Sequence, residues 1–327
     1  GCVVLAVCSL VAWLTPAGDI WLHLVHTVLG ELLRHTAVLM FGVGLGVFVL
    51  GAGLAWLIAM CEFPGRRVFD WALMLPLAVP AYVLAFVAVA LLDFSGPVQG
   101  MLRTVFGSSA WFPPIRSAGG VIGVMVLAFY PYVYMLARAA FLAQGRRMLE
   151  TGRVYGLTPW AAFVRVALPM ARPALAAGVA LALMEALADF GAVSVFNYDT
   201  FTTAIYKAWQ GLFSLPPAAQ LPSLLLLYVA LALIGEQRWR GRARYHVALR
   251  QERVERYRLA GSRAWLATAA CSIVLLLAFV IPVGQLLRWV WSAARTDLDA
   301  RYLRFFFNTV FLGAAAAVAT TFCALLL

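Results

Sequence analysis

Charge is scarce in these 327 residues: 12% are Asp, Glu, Lys or Arg, 64% are hydrophobic, and the mean hydropathy is +0.90. Soluble domains carry about a quarter charged residues, so a water-soluble fold is excluded as the unit of organisation. Lysine is almost missing, with Lys207 the single example. Cysteine is sparse, and Cys2, Cys8, Cys61, Cys271 and Cys323 form no C-x-x-C, so neither a disulfide framework nor a zinc site is indicated. There is no G-x-x-x-x-G-K-[ST] to cradle a nucleotide phosphate and no H-E-x-x-H. A Ser/His/Asp grouping is lacking too, so hydrolytic chemistry, including that of ATP, is not expected in this chain.

Apolar runs take the place of those features, at about 3–14, 37–60, 71–92, 119–142, 174–195, 221–234, 265–287 and 305–327. At about 1.5 Å per helical residue most of them cross a hydrocarbon core about 30 Å thick. The expectation is an all-α polytopic membrane protein with about eight spans in this sequence. A short first run after Gly1 and a last run closing on Cys323-Ala-Leu-Leu-Leu read as a piece of a longer chain.

The net charge of +11 is carried almost wholly by arginine. Nucleic-acid binding is a poor explanation, because no basic segment forms a domain of its own and the arginines sit between apolar runs. Alternating the loops across a membrane places 17 cations on one side, among them Arg66, Arg67, Arg138, Arg146, Arg147, Arg153, Arg165 and Arg172, against 8 on the other. The positive-inside rule makes the first side cytoplasmic. Residues 238–263, with nine arginines, form a basic cytoplasmic linker between a six-span unit at 1–237 and two spans at 264–327. Recruitment of anionic lipid or a partner protein is one reading of that charge; a solvated, topology-fixing loop is the more economical one. His35-Thr36-Ala37 and Asn308-Thr309-Val310 open corresponding spans 273 residues apart, so 264–327 reads as the truncated start of a second copy.

The cytoplasmic stretch 146–170 is the most informative. Local rules describe a short helix up to Tyr155, a break at Gly156, then a second short helix with Thr158 as N-cap and Pro159 in its first turn, ending at Leu168-Pro169. Glu150, Gly156 six residues on, and Val166-x-Leu168-Pro169 after nine more resemble the EAA loop of permease subunits of binding-protein-dependent ABC importers. Thr151 and Gly152 stand where that pattern has paired alanines, and Gly152 weakens its helix by about 0.5–1 kcal/mol relative to Ala. Further stretches resemble the fused two-copy permeases of ferric-iron importers: Phe63-Pro64-Gly65-Arg66-Arg67, the run from Leu75 to Tyr82, Tyr130 to Tyr134, Met184 to Gly191, and Thr200 to Tyr206.

The resemblance implies a six-span permease unit in a bacterial inner membrane, coupled through Glu150, Thr151, Gly152, Tyr155, Gly156, Leu168 and Pro169 to a dimer of cytoplasmic ATP-binding subunits. ATP and magnesium would be held by those partners and no cofactor by this chain, while a periplasmic or external binding protein would deliver the substrate. Thiamine, sulfate and polyamine permeases share this architecture.

Glu185 and Asp189 are the two carboxylates well inside a span, and their i, i+4 spacing predicts one helix face. Buried acids in a bilayer are costly, so this face must meet protein or water. Oxygen donors suit a hard cation in transit; hydrogen bonding to neighbouring helices is an equal alternative, and an ion-coupled secondary transporter using both acids as a relay is the rival from another class. His23 and His26 have the spacing of half a metal site but lack further ligands, so no metal site is assigned. Glycines 42, 44, 46, 51 and 53 predict close helix packing, and Pro76, Pro80 and Pro131 predict kinks.

Overall fold

The computed structural model describes residues 29–154, 156–211, 256–294 and 300–326, without the side chains of 144–154, 159, 208–211, 300, 325 and 326. The runs expected at 3–14 and 221–234, His23, His26, and most of the basic linker lie outside the described residues. Six helices among those described are long and apolar enough to cross a membrane: Leu29–Met60, Ala81–Phe106, Ala118–Ala143, Trp160–Ala188, Ser262–Ala293 and Arg301–Ala324. The chain divides into two compact units, Gly1–Pro282 and Val283–Leu327.

In the first unit, α1 (Leu29–Met60), α5 (Ala118–Val154) and α7 (Leu168–Ala188) pack together as the core. Side chains as small as glycine set how closely they approach. A Cβ at Gly51 would lie 2.7 Å from Val133 Cβ and 3.0 Å from the Tyr130 carbonyl oxygen, and one at Gly178 would lie 2.7 Å from Val133 Cα. Val133 of α5 is thus gripped from both sides by α1 and α7. Gly42 and Gly46 face Ile122 and Val126 in the same groove, and Gly44 faces Leu183, whereas nothing lies within 4 Å of Gly53. The packing role expected of this glycine series holds for its first four members. Because the obstacle at Gly178 is backbone, Gly178→Val cannot be relieved by a rotamer change, and such overpacking costs about 1–3 kcal/mol. The expected result is a lower melting temperature in detergent and a reduced monodisperse yield; wild-type melting would contradict this packing.

The expected span at 71–92 is not one helix. It breaks into α2 (Arg66–Ala72), a 3₁₀ turn (Leu75–Ala78) and α3 (Ala81–Leu92). Pro76 enters the 3₁₀ turn and Pro80 is extended at the N-cap of α3, so prolines lacking N–H groups separate the pieces. After α3 the chain continues into α4 (Pro97–Phe106). The broken segment is tied to α5 by three side chains: the Tyr130 hydroxyl donates to the Leu73 carbonyl at 2.8 Å, the Tyr134 hydroxyl donates to the Asp70 carbonyl at 2.9 Å, and Arg138 donates to both Asp70 carboxylate oxygens at 2.5 and 2.8 Å. Pro131, by contrast, is accommodated inside α5, which runs on as one 37-residue helix.

Further along are α6 (Pro159–Ala162), a π-helical turn (Phe163–Ala167), α8 (Gly191–Val195) and α9 (Phe201–Gly211). A two-residue strand β1 (Cys61–Glu62) pairs in parallel with β2 (Tyr257–Arg258), and the Leu259 N–H donates to the Glu62 carbonyl at 3.0 Å. The Thr268 hydroxyl of α10 (Ser262–Leu275) adds a bond to the Pro64 carbonyl at 2.9 Å. The distal end of the linker is therefore fastened to the loop after α1. A second π turn (Leu276–Val280) separates α10 from α11 (Ile281–Ala293). In the second unit, α12 (Ala300–Leu326) is apolar and its described side chains are exposed. Cys61 and Cys271 are buried free thiols and Cys323 is an exposed one.

Candidate coupling loop and translocation site

The backbone of Glu150, Thr151 and Gly152 is helical, on the last turns of α5, while their side chains and Tyr155 lie outside the described residues. Gly156 then takes φ +63, a left-handed conformation that suits glycine at a helix stop. Thr158 caps the next helix: its hydroxyl oxygen accepts from the Ala161 N–H at 3.3 Å and its carbonyl from the Ala162 N–H at 2.9 Å. The break and the cap lie where local rules place them. The two short surface helices do not. The first is the far end of α5, since nothing between Ala118 and Val154 stops that helix, and the second is the first turn of a rod that continues through the π turn into α7.

Leu168 and Pro169 therefore begin α7 rather than ending a surface helix. Proline inside a helix removes a hydrogen bond and crowds the carbonyl four residues back. That carbonyl belongs to Arg165, within the π turn, whose wider spacing relieves the crowding.

At the other end of the rod, α7 stops at Ala188 with Asp189 as its C-cap, and the Asp189 N–H still donates to the Glu185 carbonyl at 3.0 Å, so the two acids lie one turn apart at the helix end. The ψ of 120 at Asp189 turns the chain out of the helix after it. Its Oδ1 accepts from the Ala192 N–H at 2.6 Å, and its carbonyl accepts from the Thr202 hydroxyl at 3.1 Å. It thus caps α8 and ties the break to α9. Gly191 sits where the chain crosses α3, since a Cβ there would fall 2.5 Å from Tyr82 Cβ. Glu185 remains on α7 and is exposed beside Leu181 and Met184. Among the described residues no hydrogen bond or ion pair holds its carboxylate. Among the described residues, too, no group of three or more His, Cys, Asp or Glu side chains is placed to hold a metal ion.

Polar contacts at this end hold the break in position. Arg116 pairs with Asp93 at 3.3 Å and donates to the Val195 carbonyl at 2.7 Å. The Tyr198 ring stacks on His35 at 4.8 Å, and its hydroxyl donates to the His35 carbonyl at 3.1 Å. Burial raises the Tyr198 phenol above its usual range, partly offset by Arg34, so it stays a neutral donor. Lys207 pairs with Asp199 at 2.6 Å.

Two features were missed from the sequence: the Asp70–Arg138 pair, and a cluster of aromatic rings at the arginine-rich end, Trp56, Phe141, Trp160 and Phe163. The signal for the second was visible in principle, because Trp160 and Phe163 are spaced i, i+3.

Comparisons with known proteins bear on what this arrangement serves. The sequence profile of the family described as "Binding-protein-dependent transport system inner membrane component" matches residues 47–291. An Fe(3+)-transport system permease protein of Haemophilus influenzae is 29% identical over 304 residues, which are 91% of this chain and 56% of that protein. The chain thus spans a little over half the length of that relative. A molybdenum transport system permease protein of Escherichia coli is 28% identical over 64% of this chain and 89% of its own length. Among solved structures, a bacterial ABC transporter involved in the import of the acidic polysaccharide alginate superposes with a TM-score of 0.59 at 17% identity, covering 73% of this chain and 89% of that one. This likeness concerns the fold.

Proposed function

The chain belongs to the family of binding-protein-dependent transport system inner membrane components, and on that footing we propose that it is the membrane permease of an ATP-driven importer of ferric iron. The supporting observation is the Fe(3+)-transport relative, which aligns across 91% of the chain at 29% identity. In this reading the multi-pass bundle lies in a bacterial inner membrane with its arginine-rich end in the cytoplasm.

A periplasmic binding protein delivers the ion to the end that holds Tyr198 and Asp199. A dimer of cytoplasmic ATP-binding subunits docks on the loop from Glu150 to Trp160. Its closure on ATP moves the rod that starts at Pro159, and the rod carries Glu185 at its far end. ATP and magnesium are bound by those subunits, and this chain binds no cofactor. Glu185, exposed and without a partner among the described residues, offers a carboxylate to a hard cation passing along α7, while Asp189 holds the helix break open.

The test is uptake of ferric iron by cells carrying the permease with its neighbouring ATPase and binding-protein genes. Uptake that disappears on deletion of the ATPase gene supports the reading, and uptake that persists without it contradicts the reading.

The segment 264–327 opens a second permease unit in this account, in keeping with the 273-residue offset between the two matching span starts. The complete gene is then expected to encode a second EAA-like loop about 273 residues after Glu150. Sequencing through that region checks this, and a chain without such a loop would require two copies of the first unit instead.

A further inference from the structure

Four aromatic rings at the arginine-rich end form a continuous chain of tilted and edge-to-face contacts from the loop surface into the bundle. Trp160 is 70% exposed, and its ring lies 5.5 Å from Phe163. Phe163 is 6% exposed and sits 4.9 Å from Trp56 of α1 and 6.2 Å from Phe141 of α5. Trp56 and Phe141 close the cluster edge to face at 5.8 Å, a geometry that aromatic pairs favour. Between Ala162 and Ala171, the other fully buried side chains of the rod are alanines. Val166 and Leu168 pack against the core half-buried, and a methyl group offers neighbouring helices little to grip, so Phe163 is the largest side chain that keys this end of the rod to α1 and α5.

The same residue opens the π turn Phe163–Ala167. Such turns are rare and recur at functional sites, because they hold one residue more than an α turn. Converting this turn to α geometry would rotate everything beyond it by about 100° and shift it by about 1.5 Å. The rod therefore contains a point of slip directly beside its point of attachment.

We infer that Phe163 is the positioning residue that couples the loop to the spans. Held between Trp56 and Phe141, it fixes the pivot about which the rod turns. A push on the loop at Gly156 to Trp160 then reaches Glu185 as motion of α7 and is not lost as slip in the π turn. This rests on the functional reading above and adds to it the side chain through which the stroke passes.

The experiment uses the permease from its complete gene, with its ATPase subunits and binding protein, in proteoliposomes. It reads ferric ions transported per ATP hydrolysed, alongside co-purification of the ATPase and melting temperature. Phe163→Ala is expected to retain the ATPase and hydrolyse ATP while transport per ATP falls about fivefold or more, the lower range of coupling effects between sites. Phe163→Leu keeps most of the buried volume without the ring, and it should shift the ratio in the same direction even where the alanine variant assembles poorly. A purely structural role would lower melting and yield but leave transport per ATP unchanged in the complexes that form. A coupled wild type with an equally coupled Phe163→Leu overturns the inference alone. A wild-type complex with no ATP-driven uptake overturns the functional reading as well.

Discussion

Gly156→Val is expected to lower ATP-driven uptake at least about tenfold while the bundle still assembles. Gly156 has φ +63, and a Cβ placed there would meet nothing within 4 Å. The penalty is therefore one of backbone conformation and not of crowding. A β-branched residue in the left-handed region costs about 1–3 kcal/mol, and the loop can avoid that cost only by changing the angle at which α5 hands over to the rod. Loop closure is a surface event, so the core at Val133 is untouched. The same cause implies a graded series. Gly156→Asn, which tolerates positive φ, should be mildest, Gly156→Ala intermediate and Gly156→Val most severe. Co-purification of the ATPase should decline in the same order. Equal activity across the series would remove the loop from the coupling path.

The second large effect separates the two acids. Glu185→Gln is expected to reduce uptake about tenfold without changing assembly, because the carboxylate is exposed and has no partner among the described residues to lose. Asp189 should behave differently. Its Oδ1 caps Ala192 at 2.6 Å, and an asparagine oxygen at the same place can still accept that bond. Asp189→Asn should therefore retain most activity, whereas Asp189→Ala loses a cap of about 0.5–2 kcal/mol and with it the order of the α8 segment. Uptake and melting temperature of the three variants decide this. An Asp189→Asn variant as impaired as Glu185→Gln would show that both charges serve the passing ion, and an active Glu185→Gln would take Glu185 out of the pathway.

These contrasts show what the sequence carries. The apolar spans and the Gly156–Thr158 turn were legible because they depend on local rules: apolar length, a glycine with positive φ, and a side-chain cap three residues from its donor. The spacing of Glu185 and Asp189 was legible as one helical turn, which the bond from the Asp189 N–H to the Glu185 carbonyl keeps, but the end of the helix at that turn was not legible. The stop at Ala188 depends on Asp189 bonding forward to Ala192 and Thr202, which periodicity does not register. Kinks were expected at Pro76 and Pro80 in the span at 71–92, but hydropathy did not show that the missing N–H groups break it into separate pieces. At Pro131, also expected to kink its helix, α5 runs on without a break, packed between α1 and α7. Contacts between distant positions were beyond reach: Glu62 with Leu259, Asp70 with Arg138, and Phe163 with Trp56 are joined only by the folded chain. The backbone of Glu150, Thr151 and Gly152 is helical as local rules describe, but on the last turns of α5 and not on a separate short helix.

The central claim is that this bundle converts ATP closure on its loop into passage of a ferric ion delivered from outside. The most direct measurement is the ATPase rate of the permease with its ATP-binding subunits in proteoliposomes, with ferric-loaded or iron-free binding protein supplied at the outer face. The account predicts stimulation by the ferric-loaded form and little by the iron-free form. Indifference of the ATPase to both forms, together with uptake that an uncoupler abolishes, would contradict it in favour of ion-coupled transport.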